Sequence, residues 1–118
     1  MAEIKPPVED VKFNNIARQV GERKDQRWFE WTIFVDEGQE VLDQIKAVEY
    51  LLHRTFPNPL RNKTNPNDKF SLSGSGWGEF SIKITVFFNN GARLETSYYL
   101  DLSRPWEESL LSDEEDGE

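Results

Sequence analysis

Apolar and polar residues alternate with a period of two along much of the chain. Phe80, Ile82, Ile84, Val86 and Phe88 keep strict alternation over nine residues, the pattern of a strand with one buried face. Leu94, Thr96, Tyr98, Leu100 and Leu102 repeat it, with Asn89-Asn90-Gly91 between the two runs. Asn-Gly takes positive φ readily, so a tight hairpin with φ > 0 at both turn positions is predicted there. Upstream, Phe29, Trp31, Ile33 and Val35 alternate with Trp28, Glu30, Thr32 and Phe34, and aromatic and β-branched residues favour strands. Val48, Tyr50 and Leu52 share one face of a run from Ile45 to Leu52. From Val8 to Val20, Val11, Phe13 and Ala17 hold the odd positions, and Ile16 breaks the phase. That predicts an opening strand with a bulge near Asn14-Asn15.

Between these runs lie a charged turn at Gly21–Arg27, a single helical turn at Val41-Leu42, and a polar surface excursion over Leu60–Asp68. Phe70-Ser71-Leu72 opens a short strand that ends in Ser73-Gly74-Ser75-Gly76. Short strands with turn signals between them, and no helix beyond a turn or two, predict an all-β, immunoglobulin-like antiparallel β-sandwich. Phe29, Trp31, Ile33, Val48, Tyr50, Ile82, Ile84, Val86 and Leu100 are its expected core, and Trp106 is expected to cover one end of it.

At 118 residues the chain is expected to form one domain able to bury its own core. Its net charge of −8 is unevenly placed, because residues 107–118 carry seven acidic and no basic side chains. Residues 1–106, the predicted sandwich domain, hold 15 acidic and 14 basic residues. A near-neutral body without a basic run lacks the phosphate-binding footprint, so direct nucleic-acid binding is not expected. Residues 107–118 read as an acidic, disordered tail. No stretch resembles a signal peptide or approaches membrane length, so the expected location is cytoplasmic, or nuclear in a eukaryotic source, with no membrane partner.

Two stretches carry candidate chemistry. In Leu52-His53-Arg54-Thr55-Phe56-Pro57-Asn58-Pro59 an apolar run ends at the sole histidine, and a hydroxyl and an aromatic follow before two prolines. Each proline fixes its own φ and pushes its predecessor, Phe56 or Asn58, toward extended geometry. A loop stiffened in this way holds His53, Thr55 and Phe56 in one orientation, as recognition requires. The plainer reading makes Phe56 a core plug and the prolines strand terminators. In Ser75-Gly76-Trp77-Gly78-Glu79-Phe80, glycines flank a tryptophan and leave the backbone amides accessible. Here too a plainer reading stands, a bulge with Trp77 capping the core. The stretch is neither a phosphate loop, since a strand follows it, nor a nucleophile elbow.

Together, L-H-x-[ST]-F-x-x-P at residues 52–59 and G-W-G-x-F at 76–80 resemble the YEATS domain, a family of acyl-lysine readers built on an immunoglobulin-like sandwich. The resemblance runs from Trp28–Val35 to about Leu102, and the short, helix-free body is most similar to the prokaryotic branch. It implies a role for each matching residue. Phe56 and Trp77 would sandwich a flat acylated lysine, and the Thr55 hydroxyl would bond the acyl amide. The backbone N–H groups around Gly76, Trp77 and Gly78 would bond its carbonyl, and His53 would orient Thr55. The family also places an aromatic before the second strand, where Arg27 and Trp28 are the nearest residues and Trp28 the aromatic one.

The chemistry agrees with that assignment. Acylation removes the lysine charge and leaves a planar amide on an apolar stem. Two aromatic faces about 7 Å apart hold a planar group by dispersion and ring electrostatics, worth on the order of 1 kcal/mol per pair beyond area burial. A hydroxyl and a backbone amide then reject unmodified lysine, whose ammonium only donates and is costly to bury unpaired. The expected function is therefore a non-enzymatic binding module for acetyl- or crotonyl-type lysine on a peptide or protein. The alternative is a YEATS-like interaction or sensor module with a vestigial or adapted pocket, attached to effector or ATPase partners as the resemblance implies. Catalysis is disfavoured, since there is no cysteine, one histidine, and no acidic residue within Leu51–Lys63 to complete a triad. No His/Asp/Glu cluster has metal-ligand spacing, so no metal or cofactor is expected.

Overall fold

The alternation in Phe29–Val35 places Trp31, Ile33 and Val35 on one face of a central strand, and each is completely buried. The computed structural model describes residues 4–111. Its strands are β1 (Phe13–Arg23), β2 (Gln26–Val35), β3 (Ile45–Leu51), β4 (Leu60–Lys63), β5 (Leu72–Gly76), β6 (Ser81–Phe88) and β7 (Arg93–Tyr99), with one helical turn, α1, at Gln39–Leu42. They form a three-stranded sheet, β1-β2-β5, and a four-stranded sheet, β4-β3-β6-β7. Every pairing is antiparallel. This is the expected immunoglobulin-like sandwich, and α1 falls on the predicted helical turn.

Trp31, Ile33 and Val35 from β2 meet Val48 and Tyr50 from β3 and Ile82, Ile84, Val86 and Phe88 from β6 in one buried cluster. Burying each such side chain contributes about 1.5–3 kcal/mol. Of the nine expected core residues only Phe29 is half-buried. It pairs with Gly76 where β5 ends, so its inner neighbour stops there. Tyr50 ties the sheets together, its hydroxyl donating to the Phe70 carbonyl at 2.7 Å. Burial, with the Asp68 carboxylate adding to it, holds that phenol protonated well above its usual range.

Several local expectations are corrected. The charged turn is narrower than Gly21–Arg27, because β1 and β2 continue to Arg23 and Gln26 and reverse at Lys24-Asp25, with φ of 47° and 69°. Positive φ at both positions makes the reversal a primed-type hairpin turn, which suits the twist of the strands it joins. The β1 bulge lies between Gln19 and Gly21, not at Asn14-Asn15, whose register is unbroken. Ile16 breaks the phase because both faces of this sheet are covered. Ile16, Thr32 and Phe34 lie on the outer face and are 1%, 2% and 0% exposed. Arg18, on that same face, stacks on Trp106 at 4.2 Å, which places Trp106 beside the small sheet's outer face and not among the residues packed on the core.

Leu60–Lys63 is a strand paired with β3 where a surface excursion was expected. Phe70 has φ of 55° and precedes β5 instead of opening it. The Asn89–Gly91 hairpin has positive φ only at Gly91, 95°, with Gly91 N–H bonded to Phe88 O and Phe88 N–H to Ala92 O. That is the three-residue loop in which one left-handed residue closes the turn. Within the predicted tail, Glu108–Leu111 form a 3-10 turn with Leu110 and Leu111 half-buried. The rest of that tail, 112–118, lies outside the described residues.

Candidate ligand-binding site

At one end of the sandwich the loop after β3 and the segment after β5 enclose a cavity of about 430 Å³. His53, Thr55, Phe56, Gly76, Trp77, Gly78 and Trp28 all line it, so the structure brings every candidate residue together. Of the two residues nearest the position before the second strand, Trp28 lines the cavity and Arg27 does not.

The first loop is built as a rigid turn. Leu52 N–H bonds to Pro59 O at 2.8 Å across its base, and Phe56 N–H returns to His53 O at 3.0 Å. Arg61 on β4 donates to the carbonyls of Asn58 and Pro57 at 2.6 and 2.9 Å. Asn58 is not extended as its proline neighbour predicts, since its φ is 48°, a left-handed conformation that asparagine tolerates. Inside the turn, Thr55 N–H donates to His53 Nδ1 at 3.3 Å, and Thr55 Oγ1 lies 3.0 Å from the same nitrogen. A nitrogen that accepts from a backbone amide carries no proton, so the network assigns the neutral ring's hydrogen to Nε2. With that tautomer the Thr55 hydroxyl donates to Nδ1, which leaves its own lone pairs available to accept from an N–H donor.

Phe56 is half-buried and anchored from behind. Its ring lies 6.2 Å from Trp31 and 5.3 Å from Phe80, and Phe80 also meets Trp31 at 6.1 Å and His53 at 6.3 Å. Such tilted and edge-to-face pairs each contribute about 0.5–1.5 kcal/mol beyond area burial. Trp31 occupies the space a side chain at Gly74 would need, because a Cβ there would lie 2.6 Å from the indole. Its own indole N–H is buried without a partner among the described residues. Phe56 is thus both core contact and cavity wall, and the two readings of the sequence are not exclusive.

The second stretch differs. Trp77 is 57% exposed and has no ring contact among the described residues. A Cβ on Gly76 or Gly78 would meet nothing within 4 Å, and neither residue has positive φ. The fold itself does not need glycine at these two positions. The N–H groups of Trp77 and Gly78 have no intramolecular acceptor among the described residues, whereas the segment is held further on by Leu102 N–H on Glu79 Oε2 at 2.8 Å and Leu100 N–H on Phe80 O at 3.0 Å. Two free amide donors, one hydroxyl acceptor and aromatic walls make a surface for a planar, neutral amide.

Sequence reasoning missed Trp31, Pro57, Ser75, Glu79 and Phe80 as lining residues. The alternation of Trp31 marks it as core, and it is completely buried. Phe80 stood in the G-W-G-x-F motif, so the motif itself carried its signal. Among the described residues no group of three or more His, Asp or Glu side chains is placed to hold a metal ion, and no helix is long and apolar enough to cross a membrane.

Residues 29–101 match the prokaryotic YEATS domain family. Over 85 residues the chain is 38% identical to the protein AF-9 homolog of Candida glabrata, covering 66% of this chain and 38% of that protein. The chain thus spans well under half the length of that curated relative. Its fold is similar to the Yaf9 YEATS domain recognizing an H3K122suc peptide, with TM-score 0.63 and 32% identity over 87% of this chain and 80% of that one. It is likewise similar to the Yaf9 YEATS domain bound to H3K27ac, with TM-score 0.62 and 31% identity over 86% and 81%.

Proposed function

The chain belongs to the prokaryotic YEATS domain family, and from that premise we propose that it is a non-enzymatic module that binds acylated lysine in the cavity between Phe56 and Trp77. The observation that carries this reading is the Thr55 hydroxyl, oriented by His53 Nδ1 to accept, at the rim of an aromatic cavity. In this reading the acyl amide lies flat between the two aromatic walls. Its N–H donates to Thr55 Oγ1, and its carbonyl accepts from the Trp77 and Gly78 amides. Trp28 closes the side, and Trp31 and Phe80 form the floor. The Yaf9 structures with acylated ligands support this class of ligand. The acylated partner and the preferred acyl group belong to the cellular setting, for which cytoplasm is the proposed location.

An aromatic cavity with a carboxylate, Glu79, at its wall is also chemistry that suits a methylated ammonium. The available lone pairs of Thr55 and the two unpartnered amides favour the amide. Titrating the domain with one peptide sequence bearing acetyl-, crotonyl-, trimethyl- or unmodified lysine separates these readings. Acylated peptides are expected to bind, with the trimethylated and unmodified forms weaker by tenfold or more, about 1.4 kcal/mol. Preference for trimethyllysine, or no acyl preference, overturns the proposal.

A further inference from the structure

The two long sides of the sandwich are closed differently. On the β1/β7 side the chain after β7 seals the edge. Ala17 N–H bonds to Arg104 O at 3.1 Å, and the Asn15 amide exchanges bonds with Asp101 O and N–H at 2.9 and 3.1 Å. On the other side lie β4 and β5. β4 bears Arg61 and Lys63 and follows Pro57 and Pro59, features that discourage strand pairing. β5 has no such guard. Its sequence is Leu-Ser-Gly-Ser-Gly, Ser73 and Ser75 are exposed, and among the described residues it pairs only with β2. Among the described residues no backbone bond reaches it from the opposite side.

This edge also ends at the cavity, since Ser75 and Gly76 belong to both. The inward positions of β5 are Leu72, Gly74 and Gly76, which pair with Ile33, Trp31 and Phe29. Trp31 fills the space above Gly74, whereas the space above Gly76 is open to the cavity. An unpaired edge is a template for another extended chain, which binds through its main chain whatever its side chains. We propose that the polypeptide bearing the acylated lysine docks as an added strand on the free edge of β5, its acylated side chain turning into the cavity over Gly76. The proposal rests on the acyl-lysine reading and adds to it the partner's conformation. The partner is an extended, unstructured segment, read by its backbone on one side of the modified lysine only. Five residues of β5 span about 17 Å, so contact saturates at about five flanking residues.

The test uses the intact chain and three crotonyl-lysine compounds: the capped single residue, and peptides extended by five Ala/Ser residues on the N-terminal or the C-terminal side alone. One extension, and not the other, is expected to raise affinity by about tenfold or more. N-methylation at alternate residues of that extension removes the gain, while methylation at the intervening residues preserves it, a period-two signature that a steric effect does not produce. Equal affinity of all three compounds, or a methylation response without that alternation, overturns strand addition and leaves the acyl-lysine reading standing. Failure of every acylated compound to bind overturns the acyl-lysine reading and strand addition with it.

Discussion

The two aromatic walls of the cavity are made in opposite ways. Phe56 is half-buried, backed by Trp31 and Phe80, and sits in a turn clamped by Arg61. Trp77 projects into solvent between two glycines that the fold does not require. The first wall is an extension of the core, so its position is set by folding. The second is held by few contacts within the chain, and Trp77 is 57% exposed. Under the proposed reading, a slot with one fixed and one free face would accept flat groups of different length while keeping its hydrogen-bonding corner in place.

The sharpest way to break the contrast is to remove the support of the fixed wall. Trp31→Ala deletes the ring beneath Phe56 and is expected to lower stability by about 3–5 kcal/mol. Gly74→Ala drives a methyl into the same ring at 2.6 Å, with an expected loss of about 1–3 kcal/mol. Gly76→Ala and Gly78→Ala meet no atom and are expected to stay within about 0.5 kcal/mol of the parent. Denaturant titration of the four variants ranks them, and a Gly76 variant as unstable as Gly74→Ala contradicts the asymmetry. Phe56→Ala, half-buried, is expected to lose about 2 kcal/mol together with its affinity for acyl-lysine.

A smaller effect tests the frame that carries both walls. Tyr50 lies on the strand leading to His53, and Phe70 on the segment leading to Trp77, so their hydrogen bond joins the two approaches. The folded phenol titrates above its unfolded value, near pH 10. Its contribution is therefore complete below about pH 10 and is lost as pH rises beyond it. Tyr50→Phe is expected to cost about 1–2 kcal/mol at neutral pH by leaving the Phe70 carbonyl unpaired. It should also reduce the alkaline fall in stability by about 1.4 kcal/mol per pH unit, with Tyr98, raised chiefly by burial, still contributing. An unchanged alkaline slope contradicts the assignment. The smallest effect is at the hydrogen-bonding corner, where Thr55→Val keeps the shape and removes the hydroxyl. Binding is expected to weaken by about 1 kcal/mol with the melting temperature unchanged, and undiminished affinity rules out Thr55 as the acceptor.

The difference between the walls also explains what the sequence made legible. Alternation in Phe80–Phe88 and Phe29–Val35 reports one face against a core, and those strands lie where it places them. It is silent on β4, because Leu60-Arg61-Asn62-Lys63 has one apolar residue and that one is 56% exposed. β4 is a strand through its pairing with β3, an interaction that leaves no mark on its own composition. Ile16 breaks the phase because the outer face of the small sheet is buried as well, at Ile16, Thr32 and Phe34, a tertiary effect that local periodicity does not encode. The site was legible where chemistry concentrates, at His53, Thr55, Phe56 and Trp77. Its floor was not, because Trp31 serves core and cavity with the same ring.

The central claim is that Trp77 exists for the ligand and Phe56 for both ligand and fold. Its most direct test is the affinity of a crotonyl-lysine peptide for Trp77→Ala, measured by calorimetry beside the variant's melting curve. The expected result is a melting temperature within about 2 °C of the parent and affinity reduced tenfold or more, about 1.4 kcal/mol. Parental affinity in a stably folded Trp77→Ala, or a collapse of stability with it, contradicts the account.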